Sequence, residues 1–202
     1  MHEIIDKKFD EWTRNVDSEE RRIQIFEHIR DIPYVITGIT APENGPVELL
    51  RRNEGTCSPK NFLLGAMYQR LDIPVKYASY PFRWGDLSVE YPGKLRELVN
   101  NLPVMLHLAL RVYINGTWVL LDAAWDSPLK KVGFSVNENW DGISDMLNAV
   151  PSLEEVIHGD IQERLDYLDH FESKIPDTEE QYKLIEEFCS ELNDWLAEVR
   201  TE

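Results

Sequence analysis

Basic residues are scarce in this chain: 21 lysines and arginines stand against 37 aspartates and glutamates in 202 residues, a formal net charge of −16. A surface of that sign repels nucleic acid and anionic membrane, so neither is expected as a partner. Cysteine is nearly missing. Two of them, Cys57 and Cys189, cannot build a disulfide framework, and a reducing, cytoplasmic setting is the expectation. Long hydrophobic runs are lacking too. The longest nearly apolar stretch, Val104 to Leu110, is interrupted by His107 and is far too short to span a bilayer. The opening stretch, Met1 to Lys8, lacks the basic-then-apolar layout of a signal peptide, so no leader is expected. His28 has no second ligand-type residue at a useful spacing, and neither a metal nor a cofactor is expected.

What is present suffices for a full core: 43% of residues are hydrophobic and 10% aromatic, which argues for a folded domain rather than disorder. The charge is unevenly spread. Residues 151–202 hold 16 acidic and 4 basic side chains, so they carry −12 of the −16. Such asymmetry marks a solvated helical face, or a docking surface for a basic protein or a second copy of the chain.

Along the chain, Ile4, Ile5, Phe9 and Trp12 share one side of a helix within residues 1–16. A second helix is capped by Asp17 or Ser18 and stopped by Asp31-Ile32-Pro33. Residues 37–48, with two glycines and two prolines, read as a long loop. A central apolar helix follows from Pro59 to about Leu71, then a strand over 75–80, an aromatic loop from Pro81 to Asp86, and a short helix from Lys94 to Asn100. Residues 124–153 are irregular. Two amphipathic helices, about 153–173 and 178–200, close the chain, with Cys189 on the apolar side of the second and His158 and His170 on solvated sides. The expected division is a core over 1–152 and an acidic helical hairpin over 153–202.

One stretch is placed for chemistry. Ser58 can cap the central helix and Pro59 fits its first position, which sets Cys57 at the positive end of the helix dipole, where a thiolate is favoured. Its partners lie on a hairpin. Asn115-Gly116 is the favoured type I′ turn between strands 104–114 and 117–123, so Ile114 faces Thr117 and Ala109 faces Asp122. His107 then lies diagonally from Asp122 on one face, roughly 7–8 Å or less between Cβ atoms. Cys57 as nucleophile, His107 as its base and Asp122 as the group orienting the imidazole form a complete thiol apparatus. The backbone N–H of Cys57 is the natural oxyanion donor, with Arg51, Arg52 or Asn53 as candidates for a second.

These residues resemble the transglutaminase-like superfamily, a papain-like branch that uses Cys, His and Asp in that chain order. The motifs that carry the resemblance are Gly55-Thr56-Cys57 opening an apolar helix, Leu71-Asp72-Ile73-Pro74-Val75-Lys76-Tyr77, and His107 followed by Gly116-Thr117-Trp118-Val119-Leu120-Leu121-Asp122. His107 and Asp122 are 15 residues apart, the usual interval in that hairpin. The likeness covers about residues 45–126. The texture of the His107 strand is similar to arylamine N-acetyltransferases, but the Arg-Gly-Gly before and Glu after their cysteine are missing. Ala109 stands where many relatives place an aromatic residue.

The resemblance implies an α+β fold with the central helix packed on an antiparallel sheet and a helical hairpin at the C-terminal end. It implies acyl transfer or amide hydrolysis on a peptide, amide or acyl-thioester substrate. Tyr80, Phe82, Arg83, Trp84 and Trp125 are the candidates for the substrate wall. The competing reading is a non-catalytic protein-binding module on the same fold.

Overall fold

The computed structural model describes residues 3–152, 154–176 and 178–201. Its pivot is helix α4 (Cys57–Gln69), apolar and buried around most of its circumference. Leu63, Leu64 and Met67 are fully buried, each stabilising the fold by about 1.5–3 kcal/mol relative to exposure. Around α4 pack α1 (Glu3–Trp12), α2 (Ser18–Arg30) and α3 (Gly45–Arg52). Asp17 caps α2, accepting from the N–H of Glu19 at 3.0 Å and of Glu20 at 2.9 Å. The loop expected over 37–48 is irregular over 37–44, but helix α3 takes over from Gly45. Pro46 sits in its first turn, where a missing N–H costs nothing, so a residue read as a breaker starts a helix instead.

The sheet is four-stranded and antiparallel, in the order β3-β2-β1-β4: β1 (Val75–Phe82), β2 (Met105–Ile114), β3 (Thr117–Leu121) and β4 (Val156–His158). Asn115 at φ 51° and Gly116 at φ 86° make the β2–β3 turn, and the register pairs Ile114 with Thr117 and Leu110 with Leu121, as the turn type predicts. Alternation along the strands makes two cores. Leu108, Leu110 and Val112 pack with Phe62, Leu63 and Met67 of α4. Ala78, Phe82 and Ala109 belong to an aromatic cluster with Trp84, Trp125 and Phe188. The short helix α5 (Gly93–Val99) connects β1 to β2.

Residues 154–201 enter both layers of this architecture. Leu153, where a helix is expected to begin, lies outside the described residues. The segment after it adds strand β4 to the edge of β1 before α6 (Ile161–Glu172), which Asp160 caps by accepting from Glu163 N–H at 2.9 Å. Three strand residues are too few to show a period, so the sequence pattern alone runs the helix through them. His158 is therefore buried, not on a solvated helix side, and its Nε2 lies 2.9 Å from Ser79 Oγ. Helix α7 (Glu179–Thr201) drives Phe188, Leu192, Leu196 and Val199 into the aromatic core. Asn193 clamps Ile36 through both its N–H and its carbonyl, at 2.8 and 3.0 Å. Arg200 donates twice to Asp126, at 2.9 and 2.8 Å, and once to the Tyr34 carbonyl at 2.9 Å. Among the described residues no helix is long and apolar enough to cross a membrane.

Candidate active site

The turn before Cys57 is held from outside. Gly55 pairs with the segment around Tyr34, its N–H donating to Pro33 at 3.1 Å and its carbonyl accepting from Val35 at 3.1 Å. A Cβ on Gly55 would meet Leu49 Cδ1 at 2.6 Å and Pro59 Cγ at 3.2 Å, so a larger residue there would have to displace the buried Leu49 side chain. Asn53 at φ 55° supplies the reversal that ends α3. The helix then begins at Cys57 itself, with Thr56 as the extended N-cap residue at φ −82°, ψ −177°. This corrects the expected cap: Ser58 does not cap the helix, and Pro59 is its third residue. Cys57 still gains from the helix start, since the N–H groups of the first turn have no carbonyl within the helix. The Thr56 hydroxyl makes no capping bond and is buried without a partner among the described residues.

His107 lies on β2 and Asp122 immediately after β3. Both are 2% exposed, and His107 Nε2 stands 2.7 Å from Asp122 Oδ2. That contact leaves Nδ1 as the ring nitrogen available to the thiol. The carboxylate is held by more than the histidine: its Oδ2 accepts from Ala149 N–H at 2.9 Å and its Oδ1 from Ala124 N–H at 3.1 Å. The irregular stretch after β3 thus folds back to orient the acid. Cys57 is half-buried. Burial pushes its thiol pKa up, but the charge of His107, a side-chain hydrogen bond to His107 and the Leu108 N–H outweigh this and bring it below the ordinary thiol value. Burial likewise pulls His107 down, but Asp122, the Cys57 thiolate and the hydrogen bonds to both raise it to about 10. Each group favours the charged form of the other, the signature of an ion pair.

Two polar residues of α4 that sequence reasoning passed over fix this geometry. Asn61 donates to the carbonyl of Leu108 at 2.7 Å and accepts from the N–H of Ala123 at 3.3 Å, gripping the residues next to His107 and Asp122 at once. Lys60, with 0% exposure, donates to the carbonyls of Arg30, Ile32 and Ala124, each at 2.8 Å. Burial lowers its pKa to about 7 against the raising influence of Asp126, Asp31 and Asp122. A polar residue three or four positions after Cys57 in an otherwise apolar helix is the signal that could have found both.

Cys57 and His107 open into a cavity of about 360 Å³. Of the expected wall, Phe82, Trp84 and Trp125 line it. Tyr80 does not; it packs beside the imidazole, ring centroids 6.2 Å apart, with its hydroxyl donating to Glu155. Arg83 is exposed and also outside the lining. Trp84 and Trp125 meet edge to face at 6.0 Å, and the Trp125 indole N–H donates to Ala149 at 2.8 Å. The far wall comes from α6 and α7, including Arg164, Phe171 and Phe188. Cys189, expected in the core, packs against the aromatic cluster and also reaches the cavity. Arg51 and Arg52 turn to Glu48 at 2.8 and 3.4 Å and are exposed, so neither faces the thiol.

Fold and site together define an α+β protein with a half-buried cysteine at a helix start, set against a histidine–carboxylate pair on an antiparallel sheet. Among solved structures, a protein from Cytophaga hutchinsonii described as a candidate cysteine protease is similar at a TM-score of 0.42 and 18% identity; the match covers 77% of this chain and 49% of that one. The chain thus spans about half the length of that structure. No protein-family model and no curated protein matches the sequence.

Proposed function

We propose that this protein is a thiol enzyme of transglutaminase-like type, performing acyl transfer or amide hydrolysis through a cysteine acyl-enzyme. The observation that carries the reading is the 2.7 Å contact between His107 and Asp122, with Cys57 lining the same cavity as the imidazole. In this mechanism the Cys57 thiolate attacks the carbonyl carbon of an amide or thioester, and the oxygen becomes an oxyanion. The Cys57 N–H, in the open first turn of α4, stabilises that charge. As the tetrahedral intermediate collapses, the bond to the leaving amine or thiol breaks and His107 gives that group its proton. Water or an amine then attacks the thioester, returns a proton to His107 and releases the thiolate. Asp122 holds the ring and its charge throughout.

The test is covalent capture. Peptide amides, γ-glutamyl donors and acyl thioesters are incubated with the protein, and intact mass together with peptide mapping is read for an acyl group on Cys57. The expected result is a label from at least one donor class that is absent in Cys57→Ala. Failure of every class to acylate Cys57 contradicts the proposal and leaves the binding-module reading.

A further inference from the structure

Arg164 plays no part in that mechanism, yet it is the buried residue of α6 and it lines the cavity that holds Cys57 and His107. Its exposure is 3%, and its Nε and Nη1 have no hydrogen-bond partner among the described residues. No ion pair joins it to a carboxylate among those residues. Burial lowers its pKa, and the countercharges it feels are first the Cys57 thiolate, then Glu172 and Tyr167. Glu172 is exposed at the rim. A buried guanidinium with open donors is costly in an empty site and is repaid when an anion fills the fork.

Most of the remaining wall is apolar, with Phe82, Trp84, Leu168, Phe171 and Ile185, alongside the polar side chains of Thr40, Ser58 and Glu172. The Thr56 hydroxyl, also on the lining, is another buried polar group without a partner among the described residues. A volume of about 360 Å³ suits a small molecule, or one bulky side chain with its flanking groups.

We propose that Arg164 binds a carboxylate on the acyl donor, so that the substrate is a monoanion with an aromatic or aliphatic body and its reacting carbonyl a few bonds from that carboxylate. This rests on Cys57 being the nucleophile. A planar guanidinium accepts a carboxylate through two parallel N–H···O bonds. One buried positive charge balances one negative charge. A phosphate ester near −2 would leave a charge uncompensated among apolar walls, in a chain that already carries −16. An N-acyl amino acid, or a short apolar peptide cleaved near its free C-terminus, has the required chemistry.

The probes are 3-phenylpropionate and its neutral isostere 3-phenylpropionamide, used with the 202-residue chain at pH 7. Each is titrated for protection of Cys57 against iodoacetamide and, separately, for its shift of the thermal unfolding midpoint. The acid is expected to protect at concentrations about tenfold or more below the amide. In Arg164→Gln that preference falls to about twofold or less, while Arg164→Lys, which keeps the charge and loses the fork, retains part of it. The proposal is overturned if the acid does no better than the amide in the wild-type protein, or if its preference survives in folded Arg164→Gln. Should Arg164→Gln not fold, the acid-against-amide comparison in the wild-type protein decides alone. Should Cys57 prove unreactive, the thiol-enzyme reading fails, and the thermal shifts still report whether the cavity prefers the anion.

Discussion

His107 Nε2 lies 2.7 Å from Asp122 Oδ2 across a hairpin whose register is set by Asn115 and Gly116. The pair is buried, and the acid is further held by the N–H groups of Ala124 and Ala149. Replacing Asp122 by Asn keeps the shape and removes the charge that raises His107. The imidazolium is then less favoured, and with it the Cys57 thiolate. Alkylation of Cys57 at pH 6.5 is expected to slow by about tenfold or more, one factor of ten for each pKa unit lost. Rates with iodoacetamide measured by intact mass check this, with circular dichroism confirming the fold.

Asn61 ties α4 to both strands of the site. Asn61→Ala leaves the Leu108 carbonyl and the Ala123 N–H buried without partners. The expected loss is about 2–4 kcal/mol in urea unfolding. Because those two backbone groups flank His107 and Asp122, Cys57 reactivity should fall in the variant even where it remains fully folded.

Arg200 and Asp126 close the fold from its far end, joining α7 to the segment at Tyr34 and Trp125. Asp126 is 1% exposed and also accepts from the Tyr34 N–H at 2.8 Å. Arg200→Gln strands the carboxylate and should cost about 3–5 kcal/mol. In a double-mutant cycle, Asp126→Asn combined with Arg200→Gln should cost clearly less than the two single losses added together. Additive losses would mean that the two side chains do not stabilise each other.

The ion pair also governs how stability depends on pH. His107 is raised from 6.5 to about 10, so its stabilising contribution is complete below 6.5 and is lost as pH rises toward 10. Cys57 is lowered from 9.0, so its contribution is present above that value and is lost as pH falls. Above the lowered Cys57 value and below 9 the two slopes oppose each other. Cys57→Ser removes one of them. Its unfolding free energy should therefore decline from pH 6.5 to 9 more steeply than that of the wild-type protein, read from urea titrations across that range.

The parts of this site that were legible in the sequence are those set by local rules. A two-residue Asn-Gly turn imposes a register, so His107 and Asp122 could be assigned to one face before any coordinates. Ser58, Pro59 and the apolar run after them announce a helix start, though the cap falls on Thr56, next to Gly55, which is held by the segment at Pro33 and Val35. What was not legible depends on distant partners. Asn61 and Lys60 reach residues 47, 62, 30, 28 and 64 positions away, and no periodicity encodes such contacts. Arg164 stands in the sequence as one basic residue on an acidic helix, and nothing local indicates that α6 turns it inward. Adjacency groups Tyr80 and Arg83 with Phe82 and Trp84; in the fold Tyr80 shares the face of Phe82 on β1 but turns its hydroxyl to Glu155, and Arg83 lies exposed beyond the end of β1.

The measurement that tests the central claim most directly is the pH profile of Cys57 alkylation by iodoacetamide, in the wild-type protein and in His107→Ala. The ion pair predicts that wild-type Cys57 reacts rapidly below pH 7 and that His107→Ala moves the profile up to the ordinary thiol range near 8.5. A wild-type profile already centred near 8.5, unchanged by His107→Ala, would contradict it.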